Sequence, residues 1–202
     1  MSVPKLYQQL VLNHPEKPVF YYANDVWSFE KLEKFSNKIA NYFIELDFKS
    51  GDEVALFMEN RPEYVGIWLG LAKAGIVTAL VNTNQRQKTL LHSLKVINCR
   101  AIVFCDHLAH AVFEIVQEFS SKHKFICFNS IESSIRDYNS DPESLVHFQT
   151  KQDNELVFTN LNASLSFVSD RPPVERIQAT NFTGKLLPFF IFSPTLLSHL
   201  QM

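Results

Sequence analysis

The sequence predicts an α/β fold: a parallel sheet with helices on both faces, followed by an irregular carboxy-terminal tail. Three observations carry this. Apolar runs at 54–58, 76–81, 101–105 and 125–128 have the length and the β-branched or aromatic content of strands covered on both faces. Between them, apolar residues recur at three- and four-residue spacing, the period of an amphipathic helix. Each intervening segment is long enough for the right-handed crossover that joins parallel neighbours.

The elements follow in order. Ser28 is a natural N-cap with Glu30 in the first turn. Phe29, Leu32, Phe35, Ile39, Phe43 and Leu46 then give one apolar helical face. Lys49-Ser50-Gly51-Asp52 is a turn, and Val54–Met58 is the first buried strand. Asn60-Arg61-Pro62 starts a helix that runs to about Ala74, with Pro62 suited to its first turn. Trp68 and Leu71 are expected to lie buried against the sheet, and the Gly66-x-x-x-Gly70 spacing to let this helix pack closely on it. Gly75 stops the helix, and Ile76 to Val81 is the second buried strand. Asn82-Thr83-Asn84 leads into a helix whose Leu90, Leu91, Leu94 and Ile97 face inward. Ala101–Cys105 is the third strand. Asp106 caps a helix with apolar positions at Val112, Phe113, Ile115, Val116 and Phe119, and Phe125–Phe128 is the fourth strand. From Asn139 onward the period is lost, around Asp141-Pro142 and Asp170-Arg171-Pro172-Pro173. Leu186 to Phe192 is apolar again and fits a strand. Residues 1–138 thus form an amino-terminal α/β part, and residues 139–202 an irregular connection with a truncated or divergent end.

Composition excludes several functions. The chain has 202 residues, 46% apolar and 20% charged, as an ordered globular protein does. Nineteen basic against twenty-one acidic residues, a net charge of −2, leave no basic face for nucleic acid. The five glycines form no phosphate loop. Gly70 and Gly75 have one such spacing, but Ile76 follows where Lys is needed. Cys99, Cys105 and Cys127 have no zinc spacing, and their odd number suits reduced thiols. The stretch Val65 to Val81 is shorter than the ~20 residues of a membrane span. Lys73 near its middle would cost about 2.5–3.5 kcal/mol there. No targeting signal is present at the amino terminus, which lacks a charged region followed by an apolar one.

Ligands of open α/β sheets sit beyond the carboxyl ends of the strands. Three such ends carry polar clusters: Glu59-Asn60-Arg61; Asn82 and Asn84 with Arg86; and Asp106-His107 with His110. Asn60, Arg61, Asn82, Asn84 and Arg86 are the substrate-cleft candidates. The competing account is structural: Asn60, Asn84 and Asp106 are all N-cap types, and the arginines are surface cations. Asp106, His107 and His110 mark a solvated helix start, and no metal site is expected. Asn162-Ala163-Ser164 and Asn181-Phe182-Thr183 match the glycosylation pattern by chance. Most of the eighteen phenylalanines are expected in core and sheet packing, which leaves some to line an apolar tunnel.

The block from Trp27 to Phe104 resembles the fatty acid transport proteins, very long-chain acyl-CoA synthetases of the adenylate-forming superfamily. The resemblance rests on Trp27-Ser28-Phe29-x-x-Leu32 and on Gly51-Asp52-x-Val54-Ala55 running into Phe57-Met58-Glu59-Asn60-Arg61-Pro62-Glu63. It continues through Trp68-Leu69-Gly70-Leu71-Ala72-Lys73 to Asn82-Thr83-Asn84-x-Arg86. It covers about Val3 to Tyr138 and is faint thereafter. The resemblance implies a reaction that joins ATP, a long-chain fatty acid and CoA into acyl-CoA, AMP and pyrophosphate, with Mg²⁺. It further implies work at the cytosolic face of the endoplasmic reticulum or plasma membrane. The family's phosphate loop, acidic motifs and lid lysine have no counterpart here, so no catalytic residue is assigned. The expectation is an amino-terminal portion, inactive by itself, to which no cofactor binds alone, and which is prone to membrane or self-association. The alternative is a non-catalytic binding or regulatory module that associates with a full-length ligase or a membrane.

Overall fold

The structure is a computed structural model and describes residues 2–120, 122–128, 158–160 and 168–172. Helix α1, Val3–Asn13, begins with Pro4 in its first turn, where the missing N–H costs nothing. The Tyr7 hydroxyl donates to the Phe29 carbonyl at 2.8 Å and holds α1 to the next helix. Strands β1, Pro18–Tyr22, and β2, Asp25–Ser28, form an antiparallel hairpin. Neither α1 nor the hairpin is among the sequence expectations. The two-residue turn places Ala23 at φ +49°, without the glycine that usually signals such a turn.

Helix α2 spans Phe29–Glu45, and Ser28 caps it as expected, its Oγ accepting from the Lys31 N–H at 3.1 Å. Strand β3 is Glu53–Phe57, α3 Pro62–Lys73, β4 Val77–Leu80, α4 Gln87–Val96, β5 Ala101–Cys105, α5 Ala109–Phe113, β6 Lys124–Phe128 and β7 Phe158–Asn160. The sheet order is β4-β3-β5-β6-β7, and every neighbouring pair is parallel. The four expected strands are all present with the expected sense. The connection from β3 to β4 runs toward one edge, and those from β4 to β5 and from β5 to β6 run toward the other. With the right-handed sense of such crossovers, α3 and α4 cover opposite faces. Helix α2 packs along α3. The core includes Ile39, Phe43, Phe57, Leu71, Phe104 and Phe125, all with no exposed surface.

Several expectations are corrected. Strand β4 is not buried on both faces: it is an edge strand among the described residues, and Val77 is 45% exposed. Leu71 is fully buried, but Trp68 is only partly so, at the margin of the core. Gly66 and Gly70 do permit close packing, but against α2 rather than the sheet. A Cβ at Gly70 would lie 2.5 Å from the Ile39 Cβ and 2.5 Å from the Ser36 carbonyl oxygen. The helix expected after Asp106 is broken into a 3₁₀ turn, the short α5, and a second 3₁₀ turn at Val116–Glu118. Its β-branched Val112, Ile115 and Val116 suit a regular helix poorly. Within the stretch expected to be irregular, Phe158–Asn160 extends the sheet as β7. Its three residues are too few to show a period. The 138/139 boundary, the glycosylation patterns and the Leu186–Phe192 run lie outside the described residues.

Candidate functional site

The chain leaves β3 toward one edge of the sheet and β5 toward the other. Their carboxyl ends therefore flank a topological switch point, where open α/β sheets form a ligand crevice. Glu59, Asn60 and Arg61 follow β3, Asp106 and His107 follow β5, and Phe128 closes β6. The Arg61 Nε donates to Glu63 Oε2 at 2.8 Å, and its Nη2 donates to Oε1 at 3.0 Å. The guanidinium carbon lies 5.6 Å from the centre of the Phe128 ring, within cation–π range. The side chain is 12% exposed. Its hydrogen bonds to Glu63 push the Arg61 pKa up against the opposing effect of burial, and the charges of Glu63 and Asp106 add to the rise.

This geometry decides what Arg61 can do. A bidentate carboxylate already fills the planar fork that would receive a phosphate or carboxylate ligand. Glu59, Glu63 and Asp106 outweigh Arg61 in charge at this corner. An anionic ligand reaching Arg61 must displace Glu63 or bring its own cation.

Asn82, Asn84 and Arg86 lie apart from the switch point, beyond the edge strand β4. Asn82 Oδ1 accepts from the Asn84 N–H at 2.9 Å. Arg86 Nη1 donates to the Thr83 and Gln85 carbonyls at 2.5 and 2.7 Å. Gln87 follows at φ +45°, a conformation that costs a non-glycine residue energy and is often found at functional turns. The loop is tied to itself through Nη1 of the exposed Arg86. The five candidates therefore form two groups, Asn60 with Arg61 and Asn82 with Asn84 and Arg86, rather than one constellation.

The capping account is corrected as well. The N-cap positions of α3, the first 3₁₀ turn and α4 are Arg61, Cys105 and Arg86, and none makes a side-chain cap bond. Asp106 instead accepts from the His107 N–H at 2.9 Å. His107 and His110 are largely exposed, beside Asp106 and Glu114. Among the described residues no group of three or more His, Cys, Asp or Glu could hold a metal ion. Burial pushes the Cys99 thiol up to about 11 and Cys127 to about 12, so neither is a nucleophile near neutral pH.

One polar cluster escaped the sequence reading. Lys73, on the otherwise apolar α3, is fully buried, and its Nζ donates to Glu33 Oε2, Ser36 Oγ and Asn37 Oδ1, each at 2.7 Å. Burial pushes its pKa down, while the Glu33 carboxylate opposes that. The available signal was Glu33, Ser36 and Asn37 at i, i+3 and i+4 on α2, matched by a lone lysine in an apolar helix.

An open parallel sheet with helices on both faces and polar residues at its switch point places the protein among the open α/β folds, which bind ligands at that point. The AMP-binding enzyme family matches residues 7–176, and the chain belongs to it. It is 38% identical over 128 residues to "Long-chain fatty acid transport protein 1" of Rattus norvegicus, covering 62% of this chain and 20% of that protein. It is 30% identical over 123 residues to "Long-chain-fatty-acid--CoA ligase" of Salmonella typhimurium, covering 60% and 22% respectively. The chain thus spans about a fifth of the length of the curated relatives it matches. A solved benzoate CoA ligase from Burkholderia xenovorans LB400 superposes with a TM-score of 0.68 at 13% identity, covering 89% of this chain and 30% of that one. That likeness concerns the fold. No described helix is long and apolar enough to cross a membrane.

Proposed function

We propose that this chain supplies the amino-terminal α/β part of a long-chain fatty acid transport protein and acyl-CoA ligase. The observation that carries this is 38% identity to a fatty acid transport protein over 128 residues, joined to the shared ligase fold. In the whole protein a fatty acid carboxylate oxygen attacks the α-phosphorus of ATP and pyrophosphate leaves. The CoA sulfur then attacks the acyl carbon, AMP leaves with the bonding electron pair, and the thiol proton passes to solvent. The chemistry needs donors and cations around the phosphates.

The described residues supply little of that set. Arg61 is occupied by Glu63 and serves to shape the crevice floor against Phe128. Asn60 borders the crevice, while Asn82, Asn84 and Arg86 form a second group beyond β4. Among the described residues no group of three or more His, Cys, Asp or Glu could hold Mg²⁺. On this reading the protein works on long-chain fatty acids at the cytosolic face of the endoplasmic reticulum or plasma membrane. A non-catalytic module that binds a full-length ligase is the second reading. The engagement of both candidate arginines within the chain's own contacts favours it.

A chimera separates the two. This chain's matched segment replaces the corresponding 123 residues of the Salmonella ligase, and AMP release is followed with oleate, ATP, Mg²⁺ and CoA. The ligase reading expects turnover within about tenfold of the parent, a barrier change near 1.4 kcal/mol, and none above background from this chain alone. A folded chimera without adenylation supports the second reading.

A further inference from the structure

We propose that α2 carries a charge-set latch: buried Lys73 on α3 orients the Asn37 amide so that Asn37 and Asn41 clamp the segment 168–172 onto the outside of α2. Three successive carbonyls of that segment are held. Asn41 Nδ2 donates to the Ser169 and Arg171 carbonyls at 2.7 and 3.0 Å, and Asn37 Nδ2 donates to the Asp170 carbonyl at 2.9 Å. Asn37 and Asn41 stand one helical turn apart on the same face. Val168 anchors the start of the segment in the core at 8% exposure. The Arg171 N–H donates to Ser169 Oγ at 3.2 Å and tightens the turn. The clamp reads backbone, so it fixes the path of the chain whatever side chains the segment carries.

An asparagine amide offers an acceptor at one end and donors at the other, and its partners decide which way it faces. Here Oδ1 of Asn37 receives Lys73 Nζ at 2.7 Å. A rotated amide would set its NH₂ against an ammonium, donor against donor. The ammonium has three protons, and Glu33, Ser36 and Asn37 take all three. The lysine therefore has no second arrangement that keeps it satisfied, and the Asn37 NH₂ is left pointing at Asp170. Information passes from α3, through one amide on α2, to a segment that lies beyond β7 in the chain. The clamp ties the outer part of that segment to α2, while Val168 holds its start in the shared core.

The test introduces a thiol by Val168→Cys and follows its alkylation by iodoacetamide, localised by mass spectrometry. Native Cys99 and Cys105, both buried, report whether the core stays closed. Asn37→Asp keeps an acceptor for Lys73 and removes the amide donor. Glu33→Gln with Lys73→Met removes both charges, so neither is left buried alone, and the clamping hydrogen bonds themselves come from Asn37 and Asn41. Both changes are expected to speed alkylation at position 168 about tenfold or more, the scale of one to two lost hydrogen bonds, with Cys99 and Cys105 still protected. An unchanged rate in Asn37→Asp overturns the latch, and this variant decides the matter even if the double variant does not fold. An unchanged rate in a folded double variant overturns the role of Lys73. A rise matched at Cys99 overturns it too, because the core as a whole has then loosened.

Discussion

Replacing Gly70 by alanine sets two effects of opposite sign against each other. Gly70 lies within the last turn of α3, and inside a helix alanine is ordinarily better than glycine by about 0.5–1 kcal/mol through backbone entropy. Against this, the added Cβ would stand 2.5 Å from the Ile39 Cβ and 2.5 Å from the Ser36 carbonyl oxygen. Neither neighbour can turn away: one is backbone, and the other is fixed by its own helix. Carbon–carbon contacts are comfortable at about 3.5–4.0 Å, so α2 and α3 must part by about 1 Å. That separation falls on the fully buried Ile39 and Leu71 and stretches the 2.7 Å bond from Lys73 to Ser36. Overpacking of this kind costs about 1–3 kcal/mol, and the fixed neighbours put Gly70→Ala toward the upper end after the propensity gain. Gly66→Ala is the internal comparison. Its Cβ would stand 2.3 Å from the Phe35 ring, which packs edge-on against Trp27 and Phe128, so it too should destabilise, by displacing a packed side chain rather than backbone. Urea unfolding followed by circular dichroism gives both values. A Gly70→Ala protein as stable as the parent, or more so, would refute the close helix approach and the reasoning built on it.

Lys73→Met should cost about 3–5 kcal/mol, because it leaves the Glu33 carboxylate buried without a cation, whereas Glu33→Gln/Lys73→Met should cost much less; the same urea series reads both. Trp68→Ala should cost less than the 3–5 kcal/mol of a fully buried aromatic, since Trp68 sits at the core margin; a loss in that full range would place the indole inside. Asp52 supplies a pH dependence. Burial pushes its carboxyl up, but the Lys49 N–H and Arg100 outweigh this and hold it below the ordinary 3.8. A depressed acid contributes stability above its unfolded value and loses it as pH falls through the folded one. Stability should therefore fall on acidification below about pH 4, and Asp52→Asn should flatten that part of a pH series of urea midpoints.

What was legible in the sequence was whatever periodicity alone decides. Strands β3, β5 and β6 are continuous apolar runs because both faces are covered, and α2 shows its apolar stripe because one face is. Strand β4 has the same composition as its neighbours, yet among the described residues it lies at an edge; strand order is a property of the sheet and leaves no local mark. The hairpin was silent because Ala23 adopts a conformation usually signalled by glycine. The candidate residues after β3 and β4 follow strand ends, but the switch point lies between β3 and β5, so only the first group stands beside it. Their partners were not legible: Glu63 can fill Arg61's fork only once the helix start brings the two together, and Phe128 arrives from 67 positions away in the chain.

Gly70 and Lys73 stand three residues apart on α3, and each makes sense through the other. The absent Cβ at Gly70 lets the two helices approach until the Ser36 backbone nearly touches α3. One turn on, that approach brings Lys73 Nζ within 2.7 Å of Glu33, Ser36 and Asn37 together. Apolar packing alone tolerates sliding of one helix along another, since many registers bury similar area. A buried ammonium does not: a slide of one turn, about 5.4 Å, would strip Lys73 of its acceptors and leave Glu33 buried and unpaired. The ion cluster adds little net stability over an apolar equivalent, but it makes the wrong registers expensive. It also turns the Asn37 amide outward, so the choice of register between two helices becomes the choice of path for the chain beyond β7.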